Sequence, residues 1–266
     1  GPGPADAVET GALAAARRLA DASYHPDTNL AIFAPLRLSF MVPMNLTLDT
    51  GMILAAARTN PVWTIFAQVA NQTYNACHYY ANRNATHVDS SAQRVAAYTL
   101  ATSASVTAAI GLQSMGPPGS LARVLAPWTA VCVANALNLP TVRASEWISG
   151  VEVRDADDGA PCGFSRRCGS FAVGVCVFSR VAAATPTLVL PPIALAYFER
   201  RRGAPLQPLV RVPLLLGMIG GAMCCGVPLV FGLFAQTSTL SGAWCETSVL
   251  RPDGKRPRAV TFNRGL

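Results

Sequence analysis

A chain of 266 residues that is 51% hydrophobic and only 13% charged carries about half the charge of an ordinary soluble domain, and its mean hydropathy is +0.33. The net charge of +7 comes from twenty arginines and one lysine, Lys255. These lie at the ends of apolar blocks rather than in one stripe, which argues against nucleic-acid binding and suits contact with lipid headgroups.

In chain order, residues 5–22 have helical spacing with a mixed polar face and predict a short surface helix. The stretch "HPDT", His25 to Thr28, predicts a turn. A first apolar block, 36–57, is interrupted by Pro43, Asn45 and Asp49. A second, 61–81, follows after only "RTN", which predicts a tight helical hairpin with Pro61 in the first turn of its second helix. The third block, 95–115, is rich in Ala, Ser, Thr and Gly, the small residues that let membrane helices pack closely. The fourth, 121–142, carries Pro127, Asn135 and Asn138. A polar loop of about 143–170 precedes the fifth block, 171–198, which contains Arg180 and three prolines. The sixth, 212–234, leads into a Gly- and Pro-bearing tail.

A spanning helix needs about 20 mainly apolar residues. The expected fold is therefore all-α: a polytopic membrane bundle of five to six spans with proline-broken helices. Its parts are an N-terminal segment over 1–35, a transmembrane domain over 36–235 and a tail over 236–266. The positive charges do not settle sidedness. The chain begins "GPGPADAVET", and no signal peptide is visible in that acidic stretch.

The eight cysteines show no CxxC pair. Cys162 and Cys168 bracket "GFSRR" with no histidine nearby, so free thiols are expected there, and no metal or cofactor. Three histidines without HExxH, a chain without GxSxG and no Walker or GxGxxG loop give no sign of an enzyme.

The second block holds the unusual chemistry. On a helix, Gln68, Asn71, Gln72, Asn75 and Asn82 fall within one arc of about 100°, with His78 at its edge. An unsatisfied amide in hydrocarbon costs a few kcal/mol, so this stripe must face the bundle or a wet cavity. Amides also act as glue between helices; the row as a whole favours a polar-lined passage. Asn45, Asn135, Asn138 and Arg180 are further polar groups at membrane depth. Arg180 suits a substrate carboxylate or a structural partner, with Asp49 as its expected counter-charge.

The same stretches form an ordered set: "HPDT" (25–28), "VPMN" (42–45), "PVWTIFAQVANQTYNACHYYANRNA" (61–85), "VANALNLP" (133–140), "SR" (179–180) before "PP" (191–192), and "FNRGL" (262–266). In order and approximate spacing they resemble the sideroflexins. That resemblance implies a multi-pass protein of the mitochondrial inner membrane, with five spans and no cleaved presequence. It further implies a carrier of small neutral amino acids feeding one-carbon metabolism, with serine as the expected substrate. The motif residues carried over are His25, Pro26, Asp27, Thr28, Arg83, Asn84, Glu146 and Asn263. Asn29 replaces the glycine usual after "HPDT", and Asp49 replaces an uncharged residue. The amides Asn45, Gln68, Asn71, Gln72, Asn75, Asn82, Asn135 and Asn138, with Arg180, are the expected substrate contacts. The expected partners are an amino-acid substrate and inner-membrane lipids. The alternative is a non-transporting subunit docked into a larger respiratory or ATP synthase complex.

Overall fold

The computed structural model describes residues 4–21, 23–25, 29–82 and 90–265. Helix α1 covers Pro4–Asp21, and two short 3-10 turns at 34–36 and 38–40 lead into α2, Met41–Ala56. Helix α3, Pro61–Asn82, returns from α2 through the predicted hairpin. Helix α4, Ser91–Ser114, starts at Ser90, whose hydroxyl accepts from the Gln93 N–H at 3.0 Å. Ser120 caps α5, Leu121–Val142, in the same way; such caps satisfy otherwise orphaned first-turn donors.

Among the described residues, four helical stretches are long and apolar enough to cross a membrane: 38–56, 91–114, 166–202 and 208–232. The protein is thus a helical membrane bundle, with fewer such stretches than the five to six expected. The difference lies in α3 and α5. Each is 22 residues long, but amides dilute the apolarity of α3, and Arg123, Asn135 and Asn138 that of α5.

Helix packing follows a simple plan. Helix α2 packs on α3, α3 on α4, α4 on α5, and α5 back on α2. A second ring shares the α2–α5 edge and adds α7, Arg166–Leu188, and α9, Pro208–Gly221. Along α4, Ala97, Ala101, Ser105 and Ala109 are buried at four-residue spacing, as are Ala126, Ala130 and Ala134 on α5. Rows of small side chains let two backbones approach, as the composition of the third block predicted.

The expected loop and tail are not separate. After the short helix α6, Ala144–Ile148, come strands β1, Val151–Asp155, and β2, Pro161–Ser165. The C-terminal segment adds β3, Thr237–Ser241, and β4, Ala259–Asn263. Together they form one antiparallel sheet in the order β2-β1-β4-β3, a β element that an all-α reading does not contain. Its core is Val153, Cys162, Cys168, Ala172, Cys245, Val249, Val260 and Phe262. The cysteines are free thiols. Cys168 Sγ lies 3.6 Å from Cys245 Sγ, well beyond the roughly 2.05 Å of a disulfide.

Helix α7 is anchored at its start. The Ser165 hydroxyl accepts from the Cys168 N–H at 3.2 Å and donates to Glu246 Oε2 at 2.6 Å. Glu246 Oε1 also accepts from the Arg167 N–H at 2.9 Å, where the helix dipole favours a negative charge. Burial works against that charge, yet these hydrogen bonds hold the Glu246 carboxyl below the ordinary glutamate range. Gly169 lies so close to α6 that an added Cβ would come within 1.8 Å of the Glu146 carbonyl oxygen, so only glycine fits. Beyond α7, helix α8 spans Leu190–Arg202. Helix α9 continues through a π-helical turn, 222–226, into α10, Val227–Gly232.

Candidate functional site

Helix α3 turns Thr64, Gln68, Asn71 and Gln72 inward, all buried. Their spacing of four, three and one residues puts them on one face. One end of this face is closed by a satisfied network. The Thr64 hydroxyl donates to Gln113 Oε1 at 2.7 Å, and Gln113 Nε2 donates to the Arg58 carbonyl at 2.6 Å. Arg123 Nη1 donates to the same carbonyl at 3.0 Å. Further along, the Thr73 and Tyr98 hydroxyls meet at 2.9 Å.

These two ties set the antiparallel register of α3 against α4, and the stretch between them holds the site. Gln68 is only 1% exposed. Its Oε1 and the Thr102 Oγ1 of α4 are both buried without a hydrogen-bond partner among the described residues. Leaving a buried acceptor unpaired costs roughly 1–3 kcal/mol, so each such atom calls for an explanation. A polar ligand or water reaching either atom would satisfy it.

The other expected contacts divide. Asn75 is exposed and donates weakly to Asn71 Oδ1 at 3.5 Å. Asn82 Nδ2 donates to the carbonyls of Leu36 and His78, each at 2.8 Å, and so ties the end of α3 to the turn before α2. Asn45 Nδ2 bonds its own helix at the Met41 carbonyl, 2.9 Å away. Asn135 and Asn138 are half-buried on α5. Arg180 is exposed on α7, its guanidinium 5.6 Å from the Phe231 ring centre, and near enough to act electrostatically on His78. The expected Asp49–Arg180 pair does not form: Asp49 is buried and its partner is the Thr187 hydroxyl. Charge sign alone suggested that pairing, but Asp49 is buried and Arg180 is exposed.

The structure thus gathers Gln68, Asn71 and Gln72 and leaves Arg180 at the periphery. Sequence reasoning missed Thr64, Thr102 and Gln113. Thr64 lies one turn before Gln68 in the same arc, so including hydroxyls with amides would have found it.

The motif residues do different work. Arg143 Nε and Nη2 donate to the two oxygens of Glu146 at 2.6 and 2.5 Å. Arg143 Nη2 also donates to the Arg264 carbonyl at 2.7 Å. Partial burial opposes the guanidinium charge, but the Glu146 carboxylate holds Arg143 above the ordinary arginine range. Asn263 Oδ1 accepts from the Gly265 N–H at 2.8 Å. Glu146 and Asn263 thus brace the C-terminal strand, beside a cleft of about 540 Å³ that also includes Arg154 and Thr237. His25 is buried, and its carbonyl accepts from the Asn29 N–H at 2.9 Å. Asn29 has φ of +54°, a left-handed conformation that glycine adopts freely and asparagine tolerates. Pro26, Asp27, Thr28, Arg83 and Asn84 lie outside the described residues.

A polytopic helical membrane protein with a buried amide face is the class these features define. The sideroflexin family profile matches residues 4–266, and the chain belongs to that family. It is 35% identical to a sideroflexin of Dictyostelium discoideum over 263 residues, covering 94% of this chain and 79% of that one. Identity is 33% to sideroflexin-2 of Mus musculus over 258 residues, with the same coverage. Against sideroflexin-3 of Homo sapiens it is 31% over 257 residues, covering 94% and 78%. No solved structure matches the chain.

Proposed function

We propose that the chain is a mitochondrial inner-membrane transporter of a small neutral amino acid, with serine as its substrate and no enzymatic activity. Gln68, Asn71 and Gln72 hydrogen-bond the substrate between α3 and α4, with the Thr102 hydroxyl opposite. Asn75, Asn135 and Asn138 line the approach, and Arg180 attracts the carboxylate from the α7 side. The observation that carries this reading is the buried, unpartnered Gln68 Oε1. A substrate ammonium or hydroxyl would supply the missing donor.

The test is uptake of labelled serine by proteoliposomes holding the purified chain. Wild-type protein takes up serine, and Gln68→Leu reduces uptake by about tenfold or more, the loss of roughly one hydrogen bond to a charged group. Leucine matches the volume and removes the unpaired atom, so thermal stability holds or rises. Folded wild-type protein with no uptake above empty vesicles would overturn the reading.

A second reading, a non-transporting subunit of a larger inner-membrane complex, is favoured by the way Asn45 and Asn82 are tied to the protein's own backbone. It predicts stoichiometric co-purification with respiratory or ATP synthase subunits in mild detergent.

A further inference from the structure

Asp49 lies near the middle of the 38–56 stretch of α2 and is 7% exposed. Its partner, Thr187, is 4% exposed in the last turn of α7. The helices packed against α2 carry charged or titratable groups of their own: Tyr74 and His78 on α3, Arg123 and Cys132 on α5, Cys176 and Arg180 on α7, and Arg211 on α9. Among the described residues none of these acts on the Asp49 carboxyl. The cations are engaged elsewhere: Arg123 on backbone carbonyls, Arg180 over Phe231, Arg211 with Glu199 at 3.1 Å. A buried carboxyl with no counter-charge neutralises itself by taking up a proton.

Hydrogen bonding does not supply the missing charge. The Thr187 hydroxyl is the side chain that hydrogen-bonds the Asp49 carboxyl among the described residues. It also lies 3.2 Å from the Ala184 carbonyl and can rotate its one hydrogen to either acceptor, so a neutral group and no cation faces the carboxyl.

The surroundings are built to move. Pro191 and Pro192 have no N–H, so the carbonyls of Thr187 and Leu188 lack their helical donors, and α7 ends at Leu188. Pro186 packs on the π-helical turn of 222–226, where a Cβ on Gly226 would come 2.8 Å from the Pro186 Cβ. Two membrane stretches are thus interrupted beside one buried carboxyl, the arrangement in which transporters hold coupling ions.

We propose that Asp49 is a proton-binding site inside the bundle and, resting on the transport reading above, that its proton moves with the substrate. The proton is taken from water on one side of the membrane, held between Asp49 and Thr187, and released to water on the other. Losing it leaves a buried carboxylate with no counter-charge, which favours parting α2 from α7 at the break so that water reaches the charge. Proton occupancy and helix position are therefore linked, each biasing the other.

Two measurements on the full chain test this. Infrared spectroscopy of the protein in lipid vesicles reads the carbonyl band of a protonated carboxyl against pH. The band disappears as pH rises, is absent in Asp49→Asn, and titrates differently in Thr187→Val. In proteoliposomes, an inward proton gradient raises wild-type serine uptake, and in Asp49→Asn the ratio of uptake with and without the gradient falls to unity. A wild-type chain without the band, or a band that survives in Asp49→Asn, overturns the proton site. A band with gradient-independent uptake overturns the coupling. Absence of any serine flux counts against the transport reading, while the infrared titration still decides the site.

Discussion

Arg143 joins three parts of the molecule: α6 through Glu146, the C-terminal strand through the carbonyl of Arg264, and the end of α5, which it follows. With 12% and 22% of the two side chains exposed, the pair is shielded enough to matter. Glu146→Gln keeps the shape and removes the charge, and we expect it to lower stability by about 1–3 kcal/mol. The check is thermal unfolding together with faster hydrogen exchange at the amides of 259–265. From sequence, Glu146 and Asn263 were visible as motif positions without a role, since what joins them is the bond from Arg143 to the Arg264 carbonyl, 121 residues away along the chain. The α3 amides were legible for the opposite reason. Their shared face is set by helical periodicity within one element, so Gln68, Asn71 and Gln72 could be placed inside the bundle before any packing was known. Asn82 shares that arc but is turned to the Leu36 carbonyl, a contact no periodicity contains.

Helix α7 depends on a cap of two residues from distant segments. Ser165 stops the N-terminal donors of the helix and fixes Glu246, 81 positions later. Ser165→Ala removes both bonds and is expected to cost about 1–2 kcal/mol. The pH dependence has a definite sign. Because Glu246 is held below its ordinary value of 4.5, its contribution is full above that value and is lost as pH falls through the lower, folded-state value. Unfolding curves between neutral and acid pH should therefore converge for wild type and Ser165→Ala. Curves that stay parallel would mean that Glu246 is not the titrating group. The six apolar blocks all appear as helices, because long apolar runs specify themselves. Strands β1 to β4 did not, since five-residue segments in a polar loop and a Gly- and Pro-bearing tail carry little period-two signal. Val153, Val260 and Phe262 acquire their shared burial only by pairing across the chain.

At the scale of the molecule, the sheet draws on both the 151–165 segment, which leads into α7, and the C-terminal segment, which follows α10. Deleting 236–266 removes Cys245, Val249, Val260 and Phe262 from its core. Burial of each such apolar side chain contributes about 1.5–3 kcal/mol. The β1–β2 hairpin left behind is marginal alone, so its amides should lose protection from hydrogen exchange while the helices keep theirs. The strand order has a consequence for synthesis. In β2-β1-β4-β3, strand β4 sits between β1 and β3, yet it leaves the ribosome after both of them. Until it is translated, the nascent chain offers a two-stranded ribbon with an open edge, and a chaperone or a neighbouring polypeptide can pair there. Completion of the sheet thus waits on five residues that follow every helix described in the chain.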